Sequence, residues 1–172
     1  MGVYFTADMH FDDESIIRYE DRPFASVSVM NEKIIEAWNN TVCAEDEVYI
    51  VGDIGNAEYI SKLNGRKYLI KGNHDRLDNE EYRRLGFAEV YDKPIIYDDF
   101  WIVSHEPMYV NRNMPYANIF AHVHNNPAYN TVSARSYCVS MDRNDFTPVA
   151  FEQITLKVAL ADEAENKAEK QN

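Results

Sequence analysis

The chain has 172 residues and a formal charge of −12, because 17 Lys and Arg stand against 29 Asp and Glu. Apolar residues make up 45% of it and aromatic residues 13%, which supports one well-packed core and excludes a wholly disordered chain. The acidic excess disfavours long nucleic acids and anionic membrane surfaces as stable partners, because both repel negative charge.

The N-terminal segment, the length of the apolar runs and the cysteine positions restrict the compartment and the kind of site that we expect. The first residues contain no basic leader, and no run approaches the ~18 apolar residues of a membrane span, so we expect a cytoplasmic protein with no membrane partner. Cys43 and Cys138 lie far apart without a CxxC pair. They are therefore expected to be small buried residues, not a disulfide or a zinc site.

Short apolar runs alternate with amphipathic stretches, a pattern typical of an α/β domain. The predicted strands are, in chain order, 3–7, 47–51, 66–70, 94–97, 100–104, 119–121 and 136–141. The predicted helices are a short one after a cap at Asp12 or Asp13, one over 29–41 capped by Ser28, and one over 79–85 that Gly86 ends. Asp98 and Asp99 predict a tight hairpin turn.

The C-terminal segment differs from the rest of the chain. From Ala161 onward, alanine is the only apolar residue type. We therefore expect one domain over residues 1–160 and a tail over 161–172 that is disordered or a frayed helix.

Metal-binding side chains follow several predicted strands where each strand ends. Seven donors occupy these positions: Asp8, His10, Asp53, Asn73, His105, His122 and His124. Ligand sites in open α/β sheets form at the carboxyl ends of strands. Carboxylate and imidazole donors without thiolates suit Mn²⁺, Fe or Zn²⁺. Seven donors exceed one tetrahedral site and predict two ions that share a bridging carboxylate.

The order of these motifs resembles that of a known family. The blocks are Asp8-Met9-His10, Gly52-Asp53, Gly72-Asn73-His74-Asp75, His105 and Ala121-His122-Val123-His124. Together they resemble the signature of the calcineurin-like metallophosphoesterases. Four stretches resemble the small single-domain bacterial and phage branch: His10-Phe11, Arg22-Pro23-Phe24, Ser104-His105-Glu106-Pro107 and Val139-Ser140-Met141-Asp142. The resemblance implies a two-sheet β-sandwich flanked by helices in four α/β/β/α layers, with a dinuclear metal centre.

The resemblance also implies roles for individual residues. One ion would be held by Asp8, His10, Asp53 and His124, and the other by Asp53, Asn73, His105 and His122. A hydroxide between two divalent ions, most simply Mn²⁺, would attack phosphorus in line. His74 would stabilise the transition state and protonate the leaving oxygen, and Asp75 would orient His74.

Several alternatives remain open at this stage. The residues after Asp53 are Ile54-Gly55-Asn56, not the D-R-G of the protein-phosphatase branch. Arg22 and Arg76 either contact substrate phosphate or are structural. The chain is predicted to hydrolyse a small phosphate mono- or diester, and the alternative is a catalytically silent metal-binding scaffold of the same fold.

Overall fold

A computed structural model describes residues 1–129 and 132–169. Its strands are β1 (Val3–Thr6), β2 (Glu47–Ile50), β3 (Arg66–Ile70), β4 (Phe87–Tyr91), β5 (Ile95–Tyr97), β6 (Trp101–Val103), β7 (Ala117–Phe120), β8 (Ser136–Cys138) and β9 (Val149–Ala150). Its α-helices are α1 (Glu14–Tyr19), α2 (Val27–Thr41), α3 (Asn79–Arg84) and α4 (Phe151–Glu169). Short 3₁₀ turns cover Ala57–Lys62, Pro127–Tyr129 and Met141–Arg143.

The strands form two sheets. The first has the order β4-β3-β2-β1-β9, parallel except for β9, and the second has the order β5-β6-β7-β8, in which β6, β7 and β8 are parallel. An isolated parallel bridge joins Ala7, just after β1, to Ser140, just after β8. The carboxyl ends of both sheets therefore meet at one edge, and the mixed α/β class with two sheets flanked by helices is confirmed.

Two apolar cores hold the layers together. In α2, Met30, Ile34 and Trp38 recur every four residues, are fully buried and pack on the first sheet. The second core combines residues of both sheets with α4, through side chains such as Phe5, Trp101 and Ile154. The site described below lies at the edge of these packed layers, so its loops rest on rigid elements.

The predicted caps and turns are correct at most positions. Asp13 caps α1 by accepting from the Ser15 N–H over 2.9 Å. Asp98 and Asp99 both adopt positive φ (50° and 54°) in a tight turn that a hydrogen bond from Phe100 N–H to the Tyr97 carbonyl closes over 3.2 Å. The cap of α2 is Ser26, not Ser28, because Ser26 is extended and accepts from Val29 N–H, and the helix starts two residues earlier than predicted.

Other predictions need correction or extension. Both cysteines are free, but only Cys138 is buried and Cys43 is exposed. The sequence patterns missed β4, β9 and the first part of α4, over residues 151–160. Helix α4 continues through residues 161–169 of the predicted tail, and an Arg135–Asp162 ion pair of 3.0 Å anchors it there; residues 170–172 lie outside the described residues. Across the described ranges, none of the helices is both long and apolar enough to cross a membrane.

Candidate metal centre

The loops that follow the parallel strands bring the predicted ligands together. Donor atoms of Asp8, His10 and His124 lie within 4.8 Å of one another, and so do those of Asp53, His105 and His122. We call these sets the first group and the second group. Asn73 joins the second group through contacts to two of its histidines. All seven predicted donors therefore converge at the common edge of the two sheets.

The second group has the spacing of ligands around one ion. His105 Nε2 lies 3.3 Å from Asp53 Oδ2, 3.1 Å from Asn73 Oδ1 and 3.2 Å from His122 Nδ1. Asn73 Oδ1 lies 3.0 Å from His122 Nδ1. Ligand atoms bound to one ion at the usual distance of ~2.1 Å are separated by about 3.0–3.4 Å. The four atoms therefore match a single coordination shell.

The tautomer of His105 is set by the main chain. Its Nδ1 lies 2.8 Å from the carbonyl oxygen of Val51, which can only accept, so Nδ1 carries the proton. In the neutral ring, Nε2 then presents a lone pair to Asp53 Oδ2 and Asn73 Oδ1. Acceptors facing one another in a buried space repel unless a cation or a proton lies between them.

The first group contains a buried nitrogen that has no hydrogen-bond partner. His10 Nε2 is buried and unpartnered, and it lies 3.8 Å from Asp53 Oδ2. The other ring nitrogen of His10 faces Asp13 Oδ2 at 3.6 Å. His124 is 12% exposed and its Nδ1 pairs with Asp142 Oδ2 at 2.7 Å, so its Nε2 is the available ligand atom. His124 thus offers one nitrogen and anchors the other, as metal-binding histidines do, and His10 offers Nε2 while its Nδ1 faces a carboxylate.

Asp53 belongs to the second group and also faces the first. Its Oδ2 faces a histidine of each group, His105 at 3.3 Å and His10 at 3.8 Å. Its Oδ1 accepts from the main-chain N–H of His74 over 2.9 Å. One carboxylate oxygen is therefore within reach of both groups.

Burial and neighbouring charges shift the pKa values of these residues strongly. Burial raises the pKa of Asp8 to about 6 and lowers the pKa of His10 to about 4, so His10 is neutral at pH 7. Burial also opposes charge on Asp53 and His105, but their mutual hydrogen bond and attraction outweigh it. The pKa of Asp53 falls to about 2 and that of His105 rises to about 9. The neutral His10 ring, whose buried Nε2 has no hydrogen-bond partner, lies beside the ionised carboxylate of Asp53, and this arrangement fits a divalent cation.

The backbone at the site is held in an uncommon conformation. Five predicted ligands have left-handed φ values: Asp8 (58°), His10 (51°), Asp53 (56°), His122 (69°) and His124 (44°). Such conformations cost of order 1–3 kcal/mol each in non-glycine residues and persist where the surroundings impose them. Their concentration among the ligands indicates a functional site.

Two glycines allow the loops to approach closely. Gly52 has φ +92°, and a Cβ there would lie 2.5 Å from His105 Nδ1. A Cβ on Gly72 would overlap Asp53 Oδ1. Side chains at these two positions would displace Asp53 and His105.

The contacts of Arg22 favour the second of its two predicted alternatives, a structural role. Its side chain is fully buried and its N–H groups go to Asp142, to the carbonyls of Asp8 and Met9, and to the sulfur of Met30. No donor is left for a substrate phosphate, so Arg22 is structural. Arg76 is exposed in the loop beyond His74.

Asp75 does not orient the His74 ring as predicted. Its buried carboxylate accepts from the main-chain N–H groups of Asp53, Ile54 and Gly72, at 2.8, 3.1 and 2.8 Å. Asp75 therefore joins the loops after β2 and β3. The exposed ring of His74 lies 5.3 Å from the ring of His10, between ring centroids.

Sequence patterns missed the residues that orient the ligands. Asp142 positions His124, and Asp13 faces His10 while it caps α1. Asp12 accepts from Asn31, Asn56 and Tyr59, which ties the loop after β1 to α2 and to the 3₁₀ turn. A buried carboxylate next to a ligand is the expected outer contact of such a site, but sequence spacing does not reveal it.

Comparison with known sequences gives a partial likeness. No family model matches the chain. An uncharacterized protein of Methanocaldococcus jannaschii is 34% identical over 116 residues, which cover 59% of this chain and 66% of that protein. The chain thus spans just under two thirds of that relative's length.

Solved structures add a fold likeness. A protein of unknown function from Aquifex aeolicus has a TM-score of 0.69 at 24% identity, covering 90% of this chain and 97% of that one. The two proteins share a fold. The nuclease MPE of Pseudomonas putida has a TM-score of 0.47 at 21% identity over 71% of this chain and 61% of that one, too low a similarity for a functional argument.

Proposed function

We propose that this protein is a dinuclear metal-dependent phosphoesterase that hydrolyses a small phosphate mono- or diester. The observation that carries the proposal is the pair of adjacent donor groups with Asp53 between them. Two divalent ions bound by these adjacent groups would act as a clamp on a phosphoryl group. We extend the proposal to the four-layer α/β/β/α arrangement of the calcineurin-like metallophosphoesterases.

The proposed ligand sets follow the two groups. The first ion would be held by Asp8, His10 and His124, and the second by Asn73, His105 and His122; Asp53 would contribute to both. Two nitrogens support this division: His10 Nε2 is buried without a hydrogen-bond partner, and His105 Nε2 faces Asp53 Oδ2 and Asn73 Oδ1. Imidazole, carboxylate and amide donors without thiolate favour Mn²⁺, with Fe or Zn²⁺ as alternatives.

When bound, the two ions would supply Lewis-acid polarisation of the phosphoryl oxygens and a nucleophile at neutral pH. The chain's own contribution to proton transfer is His74. Its ring is exposed and lies 5.3 Å from the His10 ring, between centroids, and its main-chain N–H donates to Asp53 Oδ1. We propose that His74 donates a proton to the leaving oxygen.

The charge distribution supports a small substrate. The chain has a net charge of −12, which repels a polyphosphate backbone. Two divalent ions would outweigh the carboxylates of Asp8 and Asp53, so the pocket would be locally positive and would attract a single phosphate group. Arg76, exposed beyond His74, is a candidate for phosphate contact.

A hydrolysis screen tests the proposal. Purified protein loaded with Mn²⁺ would be assayed against p-nitrophenyl phosphate, bis-p-nitrophenyl phosphate and a nucleotide panel, with EDTA-treated protein and Asp53→Asn as controls. We expect Mn²⁺-dependent release of product that both controls lack. A chain that binds two ions and hydrolyses none of these esters would instead be the catalytically silent scaffold.

A further inference from the structure

Arg22 and Asp142 form a fully buried ion pair 120 residues apart in the chain. The contact is bidentate, a geometry that we call a fork: Arg22 Nε donates to Asp142 Oδ1 over 2.8 Å, and Arg22 Nη2 donates to Asp142 Oδ2 over 2.8 Å. Relative exposures are 0% for the Arg22 side chain and 1% for that of Asp142. Such a pair is costly to desolvate, so its stabilising value alone does not explain it.

Each partner of the pair also holds a part of the first group. Arg22 Nη2 donates to the carbonyl of Asp8 over 2.6 Å, and Nη1 donates to the carbonyl of Met9 over 3.1 Å. Asp142 Oδ2 accepts from His124 Nδ1 over 2.7 Å. The ion pair therefore connects the loop that carries Asp8 and His10 to the ring of His124.

The second group is held by different contacts. Val51 anchors His105, and Asp75 anchors the main chain at Asp53 and Gly72. Among the described residues, neither Arg22 nor Asp142 contributes a hydrogen bond to Asp53, Asn73, His105 or His122. The ion pair therefore contacts the first group directly and reaches the second group only through Asp8, whose Oδ2 accepts from His122 N–H over 3.1 Å.

We propose that the Arg22–Asp142 ion pair is the positioning element of the first metal group and of that group alone. Asp8, His10 and His124 all hold left-handed backbone conformations, which persist only while neighbouring contacts impose them. Without the pair, the loop and the His124 ring lose their common support, and the first group no longer forms a preorganised site. This inference rests on the proposed function, because it takes the two groups to be metal sites.

The test is a calorimetric titration of chelator-treated full-length protein, carried out once with Zn²⁺ and once with Mn²⁺. Asp142→Asn keeps the side-chain volume and an oxygen acceptor for His124 but removes the charge that Arg22 requires. We expect one of the two binding steps to weaken by about 10- to 100-fold, while the other changes less than about threefold. The Mn²⁺ EPR spectrum should change from that of a coupled pair to that of a single ion at matched metal concentration.

Two backgrounds identify the affected site. In His105→Ala, which disables the second group, Asp142→Asn should weaken the remaining binding step by the same factor. In His124→Ala, which disables the first group, it should have no effect on the remaining step. Arg22→Met provides a second variant, because it removes the fork and leaves Asp142 and His124 in place.

The chain offers a matched control in Arg135 and Asp162, whose fork has N–O distances of 3.0 and 3.2 Å and touches neither group. Asp162→Asn should leave both binding steps unchanged. If Asp142→Asn weakens both binding steps equally, or weakens neither, the inference is overturned. The proposed function still stands in that case, provided that the wild type binds two ions and hydrolyses esters. A wild type that binds no divalent ion overturns both. Far-UV circular dichroism checks that each variant is folded.

Discussion

His105 Nδ1 donates to the carbonyl oxygen of Val51 over 2.8 Å, and this contact joins the ends of the two sheets. Val51 directly follows β2 in the first sheet, and His105 follows β6 in the second. The hydrogen bond fixes which nitrogen carries the proton and aims Nε2 at Asp53 and Asn73. A main-chain acceptor supplied by one sheet thus orients a candidate metal ligand supplied by the other.

We predict that the chain binds two divalent ions and that Asp53 serves both. Asp53→Asn should weaken both binding steps, because its Oδ2 faces a histidine of each group at 3.3 and 3.8 Å. His124→Ala should abolish mainly the first site and His105→Ala mainly the second. Elemental analysis and calorimetric titration measure these stoichiometries. Saturation at one ion in the wild type, or unchanged binding in Asp53→Asn, would refute the bridging role.

Substitution of His74 should slow the chemical step without removing metal. His74→Asn keeps the main-chain N–H that holds Asp53 but removes the imidazole, so kcat should fall by about 10²–10⁴-fold. Steady-state kinetics and metal content measured on the same sample check this prediction.

The leaving group provides the control for this variant. The loss should be small for p-nitrophenyl phosphate, whose leaving group needs no proton, and large for alkyl esters. A uniform loss across leaving groups would show an electrostatic role for the imidazolium, whereas loss of metal would make His74 a ligand.

Asp8→Asn should stabilise the metal-free protein at neutral pH. The pKa of Asp8 is raised by burial from 3.8 to about 6, so at pH 7 the folded state carries an ionised carboxylate at a cost of at most ~3 kcal/mol. The amide removes that cost and keeps an oxygen that can accept from His122 N–H. Urea unfolding in EDTA measures the change in free energy of unfolding.

The pH dependence tests the cause of this effect. A raised carboxyl pKa penalises the folded state above the folded pKa, and the penalty disappears as pH falls from about 6 towards 3.8, where the wild-type carboxyl is protonated in both states. The gain from Asp8→Asn should therefore be largest at pH 7 and vanish near pH 4. A gain that does not change with pH would point to packing instead of charge.

Duplex DNA should bind weakly at physiological salt. The chain has 17 Lys and Arg against 29 Asp and Glu, so its net charge of −12 repels the phosphate backbone. Few basic side chains are available to displace the counterions of the DNA. Fluorescence anisotropy with a labelled duplex, in EDTA and in Mn²⁺, measures the affinity. Tight binding in EDTA would contradict the prediction, and inorganic phosphate in Mn²⁺ serves as the small-ligand comparison.

Local patterns in the sequence predicted most of the elements, because periodicity and capping act over a few residues. The face of α2 with Met30, Ile34 and Trp38 and the cap at Asp13 are of this kind. The two-residue strand β9 is too short for a pattern, and α4 begins directly after it without a turn. Both are set by packing against the rest of the fold.

The sequence by itself determined which donor types occur and in what order they follow the strands, since each lies next to a recognisable apolar run. Only the tertiary structure decided how they are supported. The pairing of Arg22 with Asp142 spans 120 residues, and Asp75 turns to the main chain of Asp53 instead of to the neighbouring His74. Such contacts depend on which loops the two sheets bring to one edge, and no spacing within the chain encodes that proximity.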